Sequence, residues 1–197
     1  DGAREQYVLP LAMTSGAEAE RIDREFHGAV LAKMTGARRG VLYDGLYDDG
    51  TCALLLSSIQ EGRSLATRHG RVQASNIGLG ADLAFGEPLA PITRSAPDQS
   101  NTSVVYGRRL IMKLFRRVEP GPNPDVEISR FLVDRHFTRV PPLRGTIEYT
   151  HNAEPTMSLA MVQDFVRNEG NGWDVTIEDL GRYFERRLGR PLSTLTA

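Results

Sequence analysis

Residues 109–136 leave this chain the fewest folds. From Arg109 to Arg116 the side chains alternate between two faces, Leu110, Met112 and Leu114 on one and Ile111, Lys113 and Phe115 on the other. Both faces carry large apolar groups, so a strand here is covered on both sides. Pro120-Gly121-Pro122 stops it. Asn123 then caps a helix with Pro124 at its first position, running to about His136. Lys113 therefore sits on a covered strand, with Glu127 in the first turn of the next helix, where a carboxylate suits the dipole; Ile128, Phe131 and Leu132 read as that helix's buried stripe, with Glu127 on its flank. A desolvated ammonium needs an anionic partner, which phosphates and a glutamate together would supply. The competing readings are a lysine snorkelling along a half-exposed strand and a local Glu127–Arg130 pair. The order of lysine strand then glutamate helix favours the Lys113–Glu127 phosphate clamp over both, because kinases hold ATP phosphates with such an ion pair.

The rest of the second half frames this unit. Residues 92–95 and 103–106 read as strands, with Gly107-Arg108 a tight turn into 109–116. Residues 143–150 and 157–166 read as two more. Ser100, Asn101, Thr102 and Ser103 fill the turn between the first two strands, where hydroxyls and backbone N–H groups can meet phosphate oxygens. No Gly-x-Gly-x-x-Gly pattern accompanies them. Gln163, Asp164, Phe165 and Val166 end an apolar strand before the Asn168-Glu169-Gly170 connector, as a hinge offering backbone groups to adenine does. Thr176 is read as the cap of a last helix whose stripe is Ile177, Leu180, Phe184 and Leu188.

The first half is less regular. Residues 7–13 lean to strand around Pro10, 17–26 to a short exposed helix, and 29–34 with 40–43 to a strand pair. Asp48-Asp49 open a helix that carries Cys52, Leu54, Leu55, Leu56 and Ile59 and stops at Gly62. Residues 63–91, broken by Gly70, Gly78, Gly80, Gly86, Pro88 and Pro91, read as a boundary between subdomains. The expected division is 1–90, 91–167 and 168–197. The fold class is α+β.

Several chemistries are excluded. Net charge is −1, which gives no general pull toward nucleic acid or anionic membrane. No apolar run approaches the roughly 20 residues of a membrane helix. Cys52 is the only cysteine, so neither an intrachain disulfide nor a cysteine zinc site can form, and a reducing cytoplasm is the simplest compartment. His27, His69, His136 and His151 are isolated in sequence, and no metal-hydrolase or serine-hydrolase motif occurs. Gly78-Leu79-Gly80 lacks the spacing of a dinucleotide fingerprint.

Residues 98–107, 110–117, 123–128 and 163–166 closely resemble bacterial maltokinases, above all the form fused to trehalose synthase. Tyr7 to Ala12 and Gly40 to Asp44 resemble that family's N-terminal cap, so the resemblance spans essentially the whole chain. It implies a small antiparallel cap followed by a protein-kinase-like N-lobe of the aminoglycoside-phosphotransferase kind. It further implies transfer of the γ-phosphoryl of ATP, with Mg2+, to maltose, giving maltose 1-phosphate in the cytoplasm. Lys113 would bind the α/β-phosphates, Glu127 would hold Lys113, the 98–103 turn would cover the phosphates, and Gln163 to Val166 would form the adenine hinge. The partners implied are ATP, maltose and a trehalose synthase domain in cis or in trans. The family's catalytic aspartate lies in a His-Gly-Asp segment, which this sequence lacks. No catalytic or metal-binding residue is therefore assigned, and the chain is expected to be the N-terminal part of a longer enzyme, inactive alone, with its magnesium ligands and sugar site elsewhere. The alternatives are a stand-alone nucleotide-binding module and a kinase acting on another sugar or aminosugar.

Overall fold

In the computed structural model the described residues are 5–36, 39–80, 89–94, 101–151, 155–168, 170 and 172–188. The chain divides into two compact units, Asp1–Phe165 and Val166–Ala197.

The first unit is built on a seven-stranded sheet in the order β5-β6-β11-β12-β9-β8-β7. Its strands are β5 (Ser64–Ala66), β6 (Gly70–Asn76), β7 (Ile92–Arg94), β8 (Asn101–Tyr106), β9 (Leu110–Phe115), β11 (Leu143–His151) and β12 (Met157–Asp164). Every neighbouring pair is antiparallel. β9 lies between β12 and β8. Its register sets Lys113 opposite Met161 on one side and Ser103 on the other.

A helix covers each face of this sheet, which is why both faces of β9 are apolar. Helix α2 (Asp49–Gln60) buries Cys52, Leu56 and Ile59 in a core with Leu110, Met112 and Leu114. Helix α3 (Pro124–Asp134) buries Val126 with Phe115, Leu143 and Met161 on the opposite face. The expected caps are in place. Asp48 accepts from Thr51 N, and Asn123 from Asp125 N, with Pro124 at the start of α3. At the end of α2, Gly62 has φ 62°, and the Gly62 and Arg63 amides return to Ile59 O and Ser58 O. That is a Schellman motif, which an L-residue would strain.

A smaller three-stranded sheet, β2-β4-β3, combines β2 (Leu11–Ser15), β4 (Gly40–Asp44) and β3 (Val30–Met34). Helix α1 (Ala17–Glu25) covers one face of it, burying Ala19 and Ile22 against Val41 and Tyr43. The short β1 (Gln6–Tyr7) pairs with β10 (Arg117–Val118).

Three expectations change here. Residues 63–76 are not the irregular boundary segment expected. They form β5 and β6, and seven residues of β6 pair with β11 from Gly145 to His151, so the large sheet crosses the boundary expected at 90. In α3 the buried stripe does not run through Ile128 and Phe131, which are 58% and 55% exposed; the helix is phased by Val126 instead. In the second unit, helix α4 (Gly172–Leu188) begins before Thr176, whose hydroxyl donates to Gly172 O inside the first turn rather than capping it. Ile177, Leu180, Phe184 and Leu188 are exposed.

Candidate functional site: a lysine cleft on the central sheet

Lys113 emerges on the α3 face of β9. Its Nζ lies 3.3 Å from Asp125 Oδ2, with side chains 32% and 48% exposed. The first turn of α3 explains the pairing. With Val126 in the core, Asp125 and Glu127 project to opposite flanks, about 100° to either side of it. Asp125, Ser129 and Leu132 follow one another at spacings of four and three residues and face the lysine. Together with Met161 and Gln163 of β12 they line a cleft of 210 Å³ around Lys113.

Lys113 and Gln163 are brought together in this cleft. Glu127 is exposed, and the acid that Lys113 reaches is Asp125, a correction that follows from the phase of α3. Asn101, Thr102 and Ser103 belong to strand β8 rather than to a turn, because they continue the ladder opposite Phe115, Leu114 and Lys113. Asn101 and Ser103 share the lysine's face. Thr102 points to the other one, is buried, and accepts a 2.8 Å hydrogen bond from Arg116 Nε. Ser100 lies outside the described residues. The Asp164 side chain is engaged by Arg144, whose Nε and Nη2 each donate to its carboxylate at 2.6 Å, and the Asp164 amide donates to Pro142 O. The Phe165 amide donates to Arg109 O at 2.7 Å. Val166 is exposed and belongs to the second unit.

Asp125 is the site residue that sequence reasoning missed. Its signal was its spacing to Ser129 and Leu132, legible only once Val126 is recognised as the buried member of the first turn. Chemically, the cleft offers one ammonium, one carboxylate, an amide side chain and apolar walls. That set suits a ligand with an anionic group and an apolar body. Among the described residues no group of three or more His, Cys, Asp or Glu side chains is arranged to hold a metal ion. No helix among the described residues is long and apolar enough to cross a membrane.

No known family model matches the chain. Among solved structures, a glucosamine kinase is similar to it at 17% identity and a TM-score of 0.44, the match covering 91% of this chain and 38% of that one. A glucosamine kinase in complex with glucosamine, ADP and inorganic phosphate is similar at 20% identity and a TM-score of 0.38, covering 68% and 40%. The chain thus spans about two fifths of the length of the solved structures it matches. Its fold is α+β.

Proposed function

We propose that residues 91–165 form the nucleotide-holding lobe of a sugar kinase, with Lys113 as the group that meets the phosphates of ATP. The observation that carries this reading is the placement of Lys113. It stands on the third strand of the β7-β8-β9 run, it faces the helix that follows, and it reaches an acid in that helix's first turn. Kinases hold ATP phosphates with a lysine on their third strand and an acid from the next helix. In this chain Asp125 takes the acid's place. Ser103, opposite Lys113, and Gln163, at the other side of the cleft, stand ready to donate to a ligand bound there. The backbone from Gln163 to Val166 is the proposed contact for adenine, through groups other than the Asp164 and Phe165 amides, which donate to Pro142 O and Arg109 O.

The finer reading is a maltokinase, transferring phosphate from ATP to maltose as part of a longer chain, with a trehalose synthase as partner. It is supported by the resemblance of residues 98–107, 110–117, 123–128 and 163–166. In this reading residues 91–165 hold the nucleotide, while the acceptor hydroxyl, its proton acceptor and magnesium are left to a longer chain carrying the His-Gly-Asp segment that these 197 residues lack. Isothermal titration of ATP into the 197-residue chain tests the lobe. Binding that is lost in Lys113→Ala supports it, and equal binding by both sinks it. A coupled ATP-and-maltose assay on the same chain is expected to show no turnover. Acceptor profiling on a longer chain that includes a His-Gly-Asp segment decides between maltose and another sugar.

A further inference from the structure

The segment Asp44–Asp49 ties the ends of three strands of the large sheet. Asp44, at the end of β4, accepts a hydrogen bond from Leu46 N at 3.1 Å and another from Arg116 Nη2 at 2.5 Å. Arg116 follows β9 directly, and its Nε donates to Thr102 of β8. At the end of β7, Arg94 Nε donates to Leu46 O at 2.7 Å, and its Nη1 pairs with Asp49 at 2.6 Å. The Arg94, Arg116 and Asp44 side chains are only 15%, 19% and 12% exposed. Guanidinium groups so far out of water depend on their partners for position; Arg94 also donates to Ile92 O and Cys52 Sγ, and Asp49 is its carboxylate partner as Asp44 is that of Arg116.

These strand ends are neighbours. Arg94 is opposite Val104, Thr102 is opposite Leu114, and Ser103 is opposite Lys113. Lys113 is therefore three residues from Arg116 on the same stretch of chain and diagonal to Thr102, while Arg116 leaves on the other face of the sheet. Tight recognition of an anion tolerates only about half an ångström of misplacement in the group that meets it.

We propose that Asp44 and Asp49 are positioning residues for the Lys113 cleft. They act through Arg116 and Arg94 from the opposite face of the sheet, so the end of β4 and the start of α2 set how well Lys113 meets phosphates. This rests on the nucleotide reading above. The test is isothermal titration of ATP and, separately, of adenosine into the wild-type chain, Asp44→Asn, Asp49→Ala, the double variant, and Lys33→Ala. Lys33→Ala removes the Lys33–Asp23 ion pair of the same subdomain, away from the tie, and serves as a matched control. Asp49 is 67% exposed, so Asp49→Ala keeps the fold even if Asp44→Asn does not. The ATP-to-adenosine affinity ratio is expected to fall at least about fivefold in the double variant, the lower bound of ordinary coupling between sites. It falls in the same direction in Asp49→Ala and is unchanged in Lys33→Ala. A merely structural role would move melting temperature and leave that ratio alone. An unchanged ratio in folded Asp49→Ala and Asp44→Asn overturns this inference and leaves the nucleotide reading standing. Failure of the wild type to bind ATP sinks the nucleotide reading, and this inference with it.

Discussion

Lys113 Nζ stands 3.3 Å from Asp125 Oδ2, while Glu127, two residues further along α3, is exposed on the other flank of the helix. The acid that accompanies the lysine is thus chosen by which residue of the first turn is buried, and that residue is Val126. Asp125→Ala is expected to weaken ATP binding more than Glu127→Ala. The difference is about threefold to tenfold, the range of a partly exposed charge-assisted contact. Titration of the two variants side by side measures it, and a larger loss in Glu127→Ala would refute the assignment.

At Gly145, Ile59 of α2 packs directly on the sheet. A Cβ there would stand 2.2 Å from Ile59 Cγ2 and 2.8 Å from Ser75 O. Ile59 is fully buried, so it has no room to retreat. Gly145→Ala is expected to cost about 1–3 kcal/mol by overpacking, measured by chemical denaturation. Gly145→Ala with Ile59→Val is expected to recover part of that loss.

The Arg144–Asp164 pair is a two-pronged fork at the end of β12, each bond 2.6 Å long and each side chain 35% exposed. Because the pair is partly solvated, its removal by Asp164→Ala is expected to cost only about 1 kcal/mol. Its greater effect is local. Amide exchange at Phe165, whose N–H reaches Arg109 O, is expected to speed up more than exchange in the centre of β12.

Cys52 gives a pH prediction. Burial pushes its thiol up to about 11, with the nearby Arg94 opposing the shift. A thiol with a raised pKa stays protonated in the folded chain after it has ionised in the unfolded one. Its contribution to stability is therefore whole below the ordinary thiol pKa of 9.0 and is lost as pH rises through about 11. Stability should decline across that window, and the decline should be shallower in Cys52→Ala. Alkylation at pH 8 is expected to be negligible in the native chain and fast in denaturant, since the thiolate is the reactive form.

What could be read from the sequence was what is decided locally. Asp48, Asn123, Pro124 and Gly62 mark helix ends by side-chain and backbone chemistry within a few residues, and all four do so in the structure. The two covered faces of β9 were legible from alternation alone. What could not be read was decided at a distance. β6 reads Gly-Arg-Val-Gln-Ala-Ser-Asn, with too few large apolar groups to announce a strand. It is a strand because β11, far along the chain, offers it a partner. The phase of α3 escaped for a similar reason. Ile128 and Phe131 look like core residues, and the sheet selects Val126 instead. The choice between Asp125 and Glu127 followed from that phase, so one misjudged stripe moved the acid of the site by two residues.

The continuity of the large sheet bears on how such a chain can be cut. Removing residues 1–90 would take away β5 and β6, and with them the backbone partners of β11 from Gly145 to His151. An interior strand would become a long open margin of bare N–H and C=O groups, a template for pairing with other copies. A shortened chain beginning at 91 is therefore expected to self-associate through that edge, as its sedimentation would show. The first ninety residues supply a border to the lobe they precede.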